Sequence, residues 1–277
     1  MQSDQEAYSG EAERAGRPLG RRQILAGLAL LAITGCAGPS RKPTAATSET
    51  SPHWDYEAEG PEHWAELDSR YLTCGTGHAQ SPVDLSSHTQ LHPDDHITIE
   101  YGIVPAFGIL HDGHTLLVRP AAADSSRILL GGRPFQLTQF HFHMPSEHTV
   151  DGVNSTMELH LVHRDDSGSL AVLGILMQET AGASGFDPLL ATVPQRQGES
   201  VLTGPIDLRT LLPADLGQFR YEGSLTTPPC SEGVSWTVLR NPVPVSREVA
   251  DRYHALFPHS NRPTQPLNGR TVIIAGG

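Results

Sequence analysis

Residues 135–144 read FQLTQFHFHM, and the fold is decided by how they alternate. Gln139, His141 and His143 fall on one side and Phe140 and Phe142 on the other, a period of two that belongs to a β-strand. MELHLVHR, residues 157–164, repeats the pattern: Glu158, His160 and Val162 share a face opposite Leu159, Leu161 and His163. GSLAVLGILMQ, residues 168–178, is an almost unbroken apolar run and reads as a buried central strand. If the two histidine strands are neighbours, His141, His143 and His160 converge on one point. Three neutral imidazoles with an open fourth position are the arrangement of catalytic zinc, whereas structural zinc is usually closed by four ligands and favours cysteine. Gln139 and Glu158 stand two residues before His141 and His160 on the same faces. There they can accept the outer ring N–H and fix its tautomer.

The rest of the chain bounds what such a centre could serve. The 277 residues are 38% hydrophobic and 18% charged, with 27 Gly and 22 Pro, which favours many turns over long helices. A formal charge of −12 excludes a nucleic-acid partner, since phosphate binding needs a basic surface. Residues 20–36, GRRQILAGLALLAITGC, carry an arginine pair, an apolar run from Ile24 to Ile33 and then small residues. That run is too short to span a bilayer as a mature helix, and residues 1–35 read as an export signal of twin-arginine type. Ile33-Thr34-Gly35-Cys36 resembles a bacterial lipobox, which makes Cys36 the expected lipidated residue and a lipid the expected anchor. An ordinary cleaved signal with an incidental cysteine is the alternative. Residues 36–52 are rich in Pro, Ser and Thr and read as a flexible tether. Residues 53–277 then form one domain, exported to the periplasm or cell surface. Two further cysteines, Cys74 and Cys230, favour a disulfide in an oxidising compartment, and the bridge would stabilise by about 3–5 kcal/mol.

The histidines alone leave one competitor. His141-x-His143-x-x-x-Glu147, with Gly152 shortly after, also resembles the first motif of the cupins, where the glutamate itself binds a metal. That reading needs a later Pro-x-Gly-x-x-His element, which the segment after His160 does not supply.

Residues 221–239, YEGSLTTPPCSEGVSWTVL, supply the second motif. Together with QFHFHMPSEHTVDG (139–152), MELHLVH (157–163) and QSPVDL (80–85), this stretch closely resembles the α-class carbonic anhydrases. HWDYEAEGPEHW (53–64) and NRPTQPLNGR (261–270) match that family more weakly, so the resemblance runs through essentially the whole domain. It implies a mainly β fold: a large, twisted, mostly antiparallel central sheet with short peripheral helices, and zinc at the bottom of a conical cleft. It implies reversible hydration of CO2 to bicarbonate, with Zn2+ on His141, His143 and His160 and with Gln139 and Glu158 behind His141 and His160. Zinc lowers the pKa of its water to about 7 in these enzymes, the type case of the effect. Glu147 then takes the Thr226 hydroxyl proton, so that Thr226 accepts from the hydroxide and aims it. Val162, Val172, Leu225, Val234 and Trp236 are the implied apolar pocket for CO2, and the Thr226 N–H and Thr227 contact the substrate or bicarbonate. His114 is the implied proton shuttle, with Tyr56 organising the cavity water. His111 is expected to be a solvated loop histidine, with an accessory to the shuttle as the alternative, His148 a structural one, and Leu117 replaces a polar cavity residue of relatives. Cys74 and Cys230 match the cysteine pair of exported members. A catalytically inactive carbonic-anhydrase-like binding module is the alternative from another class. Either a monomer or a homodimer fits the sequence.

Overall fold

The Arg133–His143 strand lies at the centre of an eleven-stranded sheet, paired with Leu116–Pro120 and Arg127–Leu130 on one side and with Met157–Arg164 on the other. The computed structural model describes residues 53–92, 94–121, 126–182, 184–190 and 193–276. The expected export signal, the tether and Cys36 lie outside them. From one edge the strands run Gly198–Asp207, Ile103–His111, Leu116–Pro120, Arg133–His143, Met157–Arg164, Leu170–Thr180, Glu232–Ser246, Gln218–Ser224 and Ile273–Ala275. Thr98–Glu100 joins through Arg127–Leu130. Among the described residues every pairing in this sheet is antiparallel except Leu170–Thr180 with Glu232–Ser246. That pairing is the most extensive one, and it places the buried apolar strand between the histidine strand and the Trp236 strand.

The alternation read from the sequence holds, with one break. Phe135 and Leu137 are buried, then Phe140 and Phe142, so the inward set changes from odd to even positions. The register against Met157–Arg164 shifts between Leu137 and Gln139. The extra residue, Thr138, acts as a β-bulge that turns the side chains over. Its hydroxyl donates to the Val162 carbonyl at 2.9 Å. Beyond the bulge, His141 stands directly opposite His160, and His143 opposite Glu158.

The sheet buries both faces. On one, Phe140, Phe142, Leu159, Leu161, Leu173 and Ile175 pack with Val249, Ala250 and Tyr253 of the Arg247–Leu256 helix. Ser246 caps that helix by accepting from the Val249 N–H, and the remaining helices are single turns. On the other face lie Val162, Val172, Val234 and Trp236, with Val83, Leu85, Phe219 and Tyr221. A third cluster joins Trp64, Tyr71 and a Cys74–Cys230 disulfide, with Cα atoms 5.0 Å apart. The disulfide ties the Thr73–Thr76 turn to the loop between the Gln218–Ser224 and Glu232–Ser246 strands. Among the described residues no helix is long and apolar enough to cross a membrane.

His163 points away from the histidine face, into the first core. It is fully buried, its Nε2 lies 2.9 Å from the Tyr101 hydroxyl, and burial pushes its pKa down to about 3. The unfolded chain therefore takes up a proton near pH 6.5 that the native chain refuses until about pH 3. This depressed value makes the native state lose stability as pH falls through that window, at about 1.4 kcal/mol per pH unit. In urea unfolding from pH 6.5 to 4.5, the stability difference between the protein and a His163→Gln variant should move by that slope. A difference independent of pH would mean that the native core accepts the proton.

Candidate active site

The three histidines expected to converge do so. One ring nitrogen from each of His141, His143 and His160 lies within 4.8 Å of the others. Opposite strand positions bring His141 and His160 together, and the period of two adds His143. Each ring has an acceptor oxygen beside it. His141 Nδ1 is 2.9 Å from Gln139 Oε1, His143 Nδ1 is 2.5 Å from the Ser260 carbonyl, and His160 Nε2 is 2.9 Å from Glu158 Oε1, although the ring is not aligned for a hydrogen bond there. Amide and peptide oxygens can only accept here, so the Nδ1 atoms of His141 and His143 carry the proton. That leaves the lone pairs of these two rings on His141 Nε2 and His143 Nε2. Burial lowers all three pKa values, to about 4 for His143, so the rings are neutral at ordinary pH. His143 Nε2 is buried without a hydrogen-bond partner. A buried lone pair without a donor is costly, and a cation relieves that cost. The donor set fits zinc: three neutral imidazoles, with no fourth protein ligand grouped with them among the described residues.

Glu147 sits behind this cluster. Its Oε1 accepts the Arg262 backbone N–H at 2.8 Å, and the Thr226 hydroxyl lies close enough to the carboxylate to pull its pKa down. Its Oε2 is 3.4 Å from His143 Nε2 and 3.8 Å from His160 Nδ1. Burial pushes its pKa up to about 7, against the opposing pull of His160, the Arg262 N–H and Thr226. Thr226 is itself buried, whereas Leu225 and Thr227 on either side are half-exposed. Val162, Val172, Val234 and Trp236 form one cluster on the histidine face, and Leu225 packs against it. The Trp236 ring lies 4.8 Å from that of His160.

His114 is in the turn after Ile103–His111, half-buried, with its ring stacked on Trp54 at 4.0 Å. Burial lowers its pKa, and Asp112 opposes this. A cavity of about 150 Å³ is lined by both His114 and Tyr56, and also by Ser260, whose carbonyl holds His143. Burial raises the Tyr56 pKa well above the usual range, with Glu147 adding to it, so this hydroxyl stays protonated. Leu117 faces His141 in register. His111 corrects the expectation of a solvated loop histidine. It ends a strand, is buried, and packs its ring 4.6 Å from Phe257, because the strand extends one residue further than its polar neighbours suggest. His148 is structural as expected, with Nδ1 2.7 Å from Glu158 Oε1 and Nε2 2.7 Å from the Tyr221 hydroxyl.

Three contributors had no role in the sequence reading. The Ser260 carbonyl and the Arg262 N–H are main-chain groups, which residue type does not advertise. The Arg262 side chain is almost fully buried and donates to Gln80 Oε1, to the Ser81 carbonyl and to the Cys74 carbonyl. The signal was a charged residue inside NRPTQPLNGR, a stretch that matches the family.

The fold and site thus define a β-sheet protein with a three-histidine centre backed by hydrogen-bonded carboxylates. The model of the eukaryotic-type carbonic anhydrases matches residues 59–275. A carbonic anhydrase of Klebsiella pneumoniae is 42% identical over 226 residues, covering 80% of this chain and 90% of that protein. One from Nostoc sp. is 39% identical over 265 residues, covering 92% and 97%. The α-carbonic anhydrase of Thermovibrio ammonificans, solved with the inhibitor sulfanilamide, superposes with a TM-score of 0.75 at 38% identity, covering 81% of this chain and all of that one. The chain belongs to the α-carbonic anhydrase family, zinc enzymes that interconvert CO2 and bicarbonate. The cupin alternative is thereby set aside.

The disulfide bears on the Thr226 loop directly. Within it Leu225 N donates to the Ser231 carbonyl and Cys230 N to the Thr227 carbonyl. Reduction should cost about 3–5 kcal/mol of stability and speed hydrogen exchange at the Leu225 and Cys230 amides. Unchanged protection and unchanged stability would show that the loop is held without it.

Proposed function

We propose that His141, His143 and His160 hold Zn2+ and that this chain hydrates CO2 by the metal-assisted route of its family. The observation that carries the reading is that ring nitrogens of His141, His143 and His160 lie within 4.8 Å of one another, with acceptors fixing the tautomers of His141 and His143. When bound there, zinc supplies the Lewis acidity that makes a water nucleophilic at neutral pH. The protein's own groups do the rest. Glu147, ionised beside a cation, can only accept, so it accepts a hydrogen bond from the Thr226 hydroxyl and leaves the Thr226 oxygen as an acceptor. That oxygen orients the attacking oxygen by accepting a hydrogen bond from it. Val162, Val172, Leu225, Val234 and Trp236 offer an apolar wall to a substrate that has no charge, and they keep competing water away. The Thr226 N–H and Thr227 contact the substrate or bicarbonate oxygens. His114 takes the released proton to buffer, a task suited to an imidazole, which can both accept and release a proton. Tyr56, kept neutral, orders water between His114 and the centre.

The inactive binding module is disfavoured by the same residues, since all three histidines, Glu147 and Thr226 are present together. Residues 1–35 act in this reading as an export signal, Cys36 as a lipid anchor, and residues 36–52 as a tether for the catalytic domain from residue 53. The disulfide supports an oxidising compartment. Ester hydrolysis is a side activity of the same centre.

Stopped-flow CO2 hydration should vanish on removal of the metal by a chelator, return with Zn2+, and be blocked by sulfanilamide. An inactive zinc-replete protein would overturn the proposal. Thr226→Ala should lower kcat/KM by about 100-fold, the size expected for a group that aims the reacting atom. His114→Ala should slow turnover without changing kcat/KM, and small imidazole buffers should restore it. If they do not, the shuttle is another group.

A further inference from the structure

Two serines and a tyrosine outside the histidine cluster form a second connection between the ligand set and the Thr226 loop. Glu158 Oε1 lies 2.9 Å from His160 Nε2 and 2.7 Å from His148 Nδ1. His148 Nε2 is 2.7 Å from the Tyr221 hydroxyl, which donates to Ser81 Oγ at 2.9 Å. Ser81 Oγ accepts the Ser224 N–H at 3.0 Å, and Ser224 Oγ accepts the Ser81 N–H at 2.9 Å. Ser224 ends its strand two residues before Thr226, and the Trp236 Nε1–H donates to its carbonyl at 2.9 Å. On the other side the Glu147 N–H donates to Glu158 Oε2 at 2.9 Å, and the Thr226 hydroxyl lies close enough to the Glu147 carboxylate to lower its pKa.

We propose that Tyr221 and Ser81 are positioning residues for the reaction, holding Thr226 at a set distance from His160 through His148 and Glu158. Tyr221, Ser81, Ser224, His148 and Glu158 are each at most 5% exposed. Solvent therefore cannot replace a missing bond, and the loop must shift if one is lost. The ring of Tyr221 is held independently, stacked on Trp236 at an interplanar angle of 11°. Space is tight around the joint. A Cβ on Gly223 would lie 2.1 Å from Ser81 Oγ and 2.9 Å from atoms of both Trp236 and Tyr221. The Tyr221 hydroxyl thus joins two halves of the site, beside the links through Glu147 and through the Trp236 ring.

This inference rests on the reading that Thr226 aims the attacking oxygen, and the test separates the two. In the zinc-loaded protein, Tyr221→Phe should lower kcat/KM about tenfold and speed zinc release to a chelator about tenfold, because both the loop and Glu158 lose a support. Ser81→Ala should lower kcat/KM by a similar factor while changing zinc release by less than about twofold, since the His148–Tyr221 bond survives. It also serves as the probe if Tyr221→Phe does not fold. In a Thr226→Ala background either change should cost less than about twofold in kcat/KM, because the group they position is gone. Full additivity in that background, or a Tyr221→Phe enzyme with unchanged kcat/KM and zinc release, overturns the coupling. An unimpaired Thr226→Ala enzyme overturns the underlying reading instead.

Discussion

The Glu158 carboxylate is the group on which the site's geometry depends. It is fully buried and accepts from the Glu147 and His148 amides at Oε2 and from the His148 ring at Oε1, with the His160 ring 2.9 Å from Oε1. Burial alone pushes its pKa up, but His148 and His160 outweigh that and hold it well below the usual carboxylate range. An ionised carboxylate in a dry interior is stable only while each of these partners stays in place. It therefore imposes position on all of them. The strand next door makes room: Gly174 pairs with His160, and a Cβ there would lie 2.9 Å from Glu158 Oε1.

From this carboxylate the order spreads along two routes. One passes through Glu147 to Arg262, whose main chain holds the carboxylate while its guanidinium binds the carbonyls of Cys74 and Ser81 and the amide of Gln80. Burial lowers the Arg262 pKa only to about 10, so it remains a cation at neutral pH. The other route passes through His148 and Tyr221 to Ser81. Both arrive at the Gln80–Ser81 segment, and this explains why QSPVDL accompanies the histidine strands although no atom of it reaches the ring cluster. The disulfide adds a covalent tie to the same region, with the Cys230 carbonyl accepting from Gln80 Nε2.

Much of this was legible before any coordinates. The period of two placed Gln139, His141 and His143 on one face, and the matching face of residues 158–162 gave the third ligand position and its carboxylate. What residue type could not show was the Thr138 bulge, without which Phe135 and Leu137 would share the face of the histidines. Nor could it show that His111 belongs to a strand, since a single histidine before Asp-Gly looks like the start of a turn. The Ser260 carbonyl and the Arg262 amide were invisible for a simpler reason: every residue carries such groups, and only the path of the chain selects the two that are used.

The sequence by itself determined the local terms: strand periodicity, the faces of the histidines, the acceptors two residues before His141 and His160, and the Thr-Thr-Pro-Pro loop. These depend on backbone geometry and side-chain chemistry within a few bonds. The tertiary structure decided the tautomer of His143, the restraint on Glu147, and the hydrogen-bonded path through Tyr221 and Ser81. Those depend on groups more than seventy positions apart meeting within about 3 Å in a dry interior, where an unmatched donor or acceptor is costly enough to select a single arrangement.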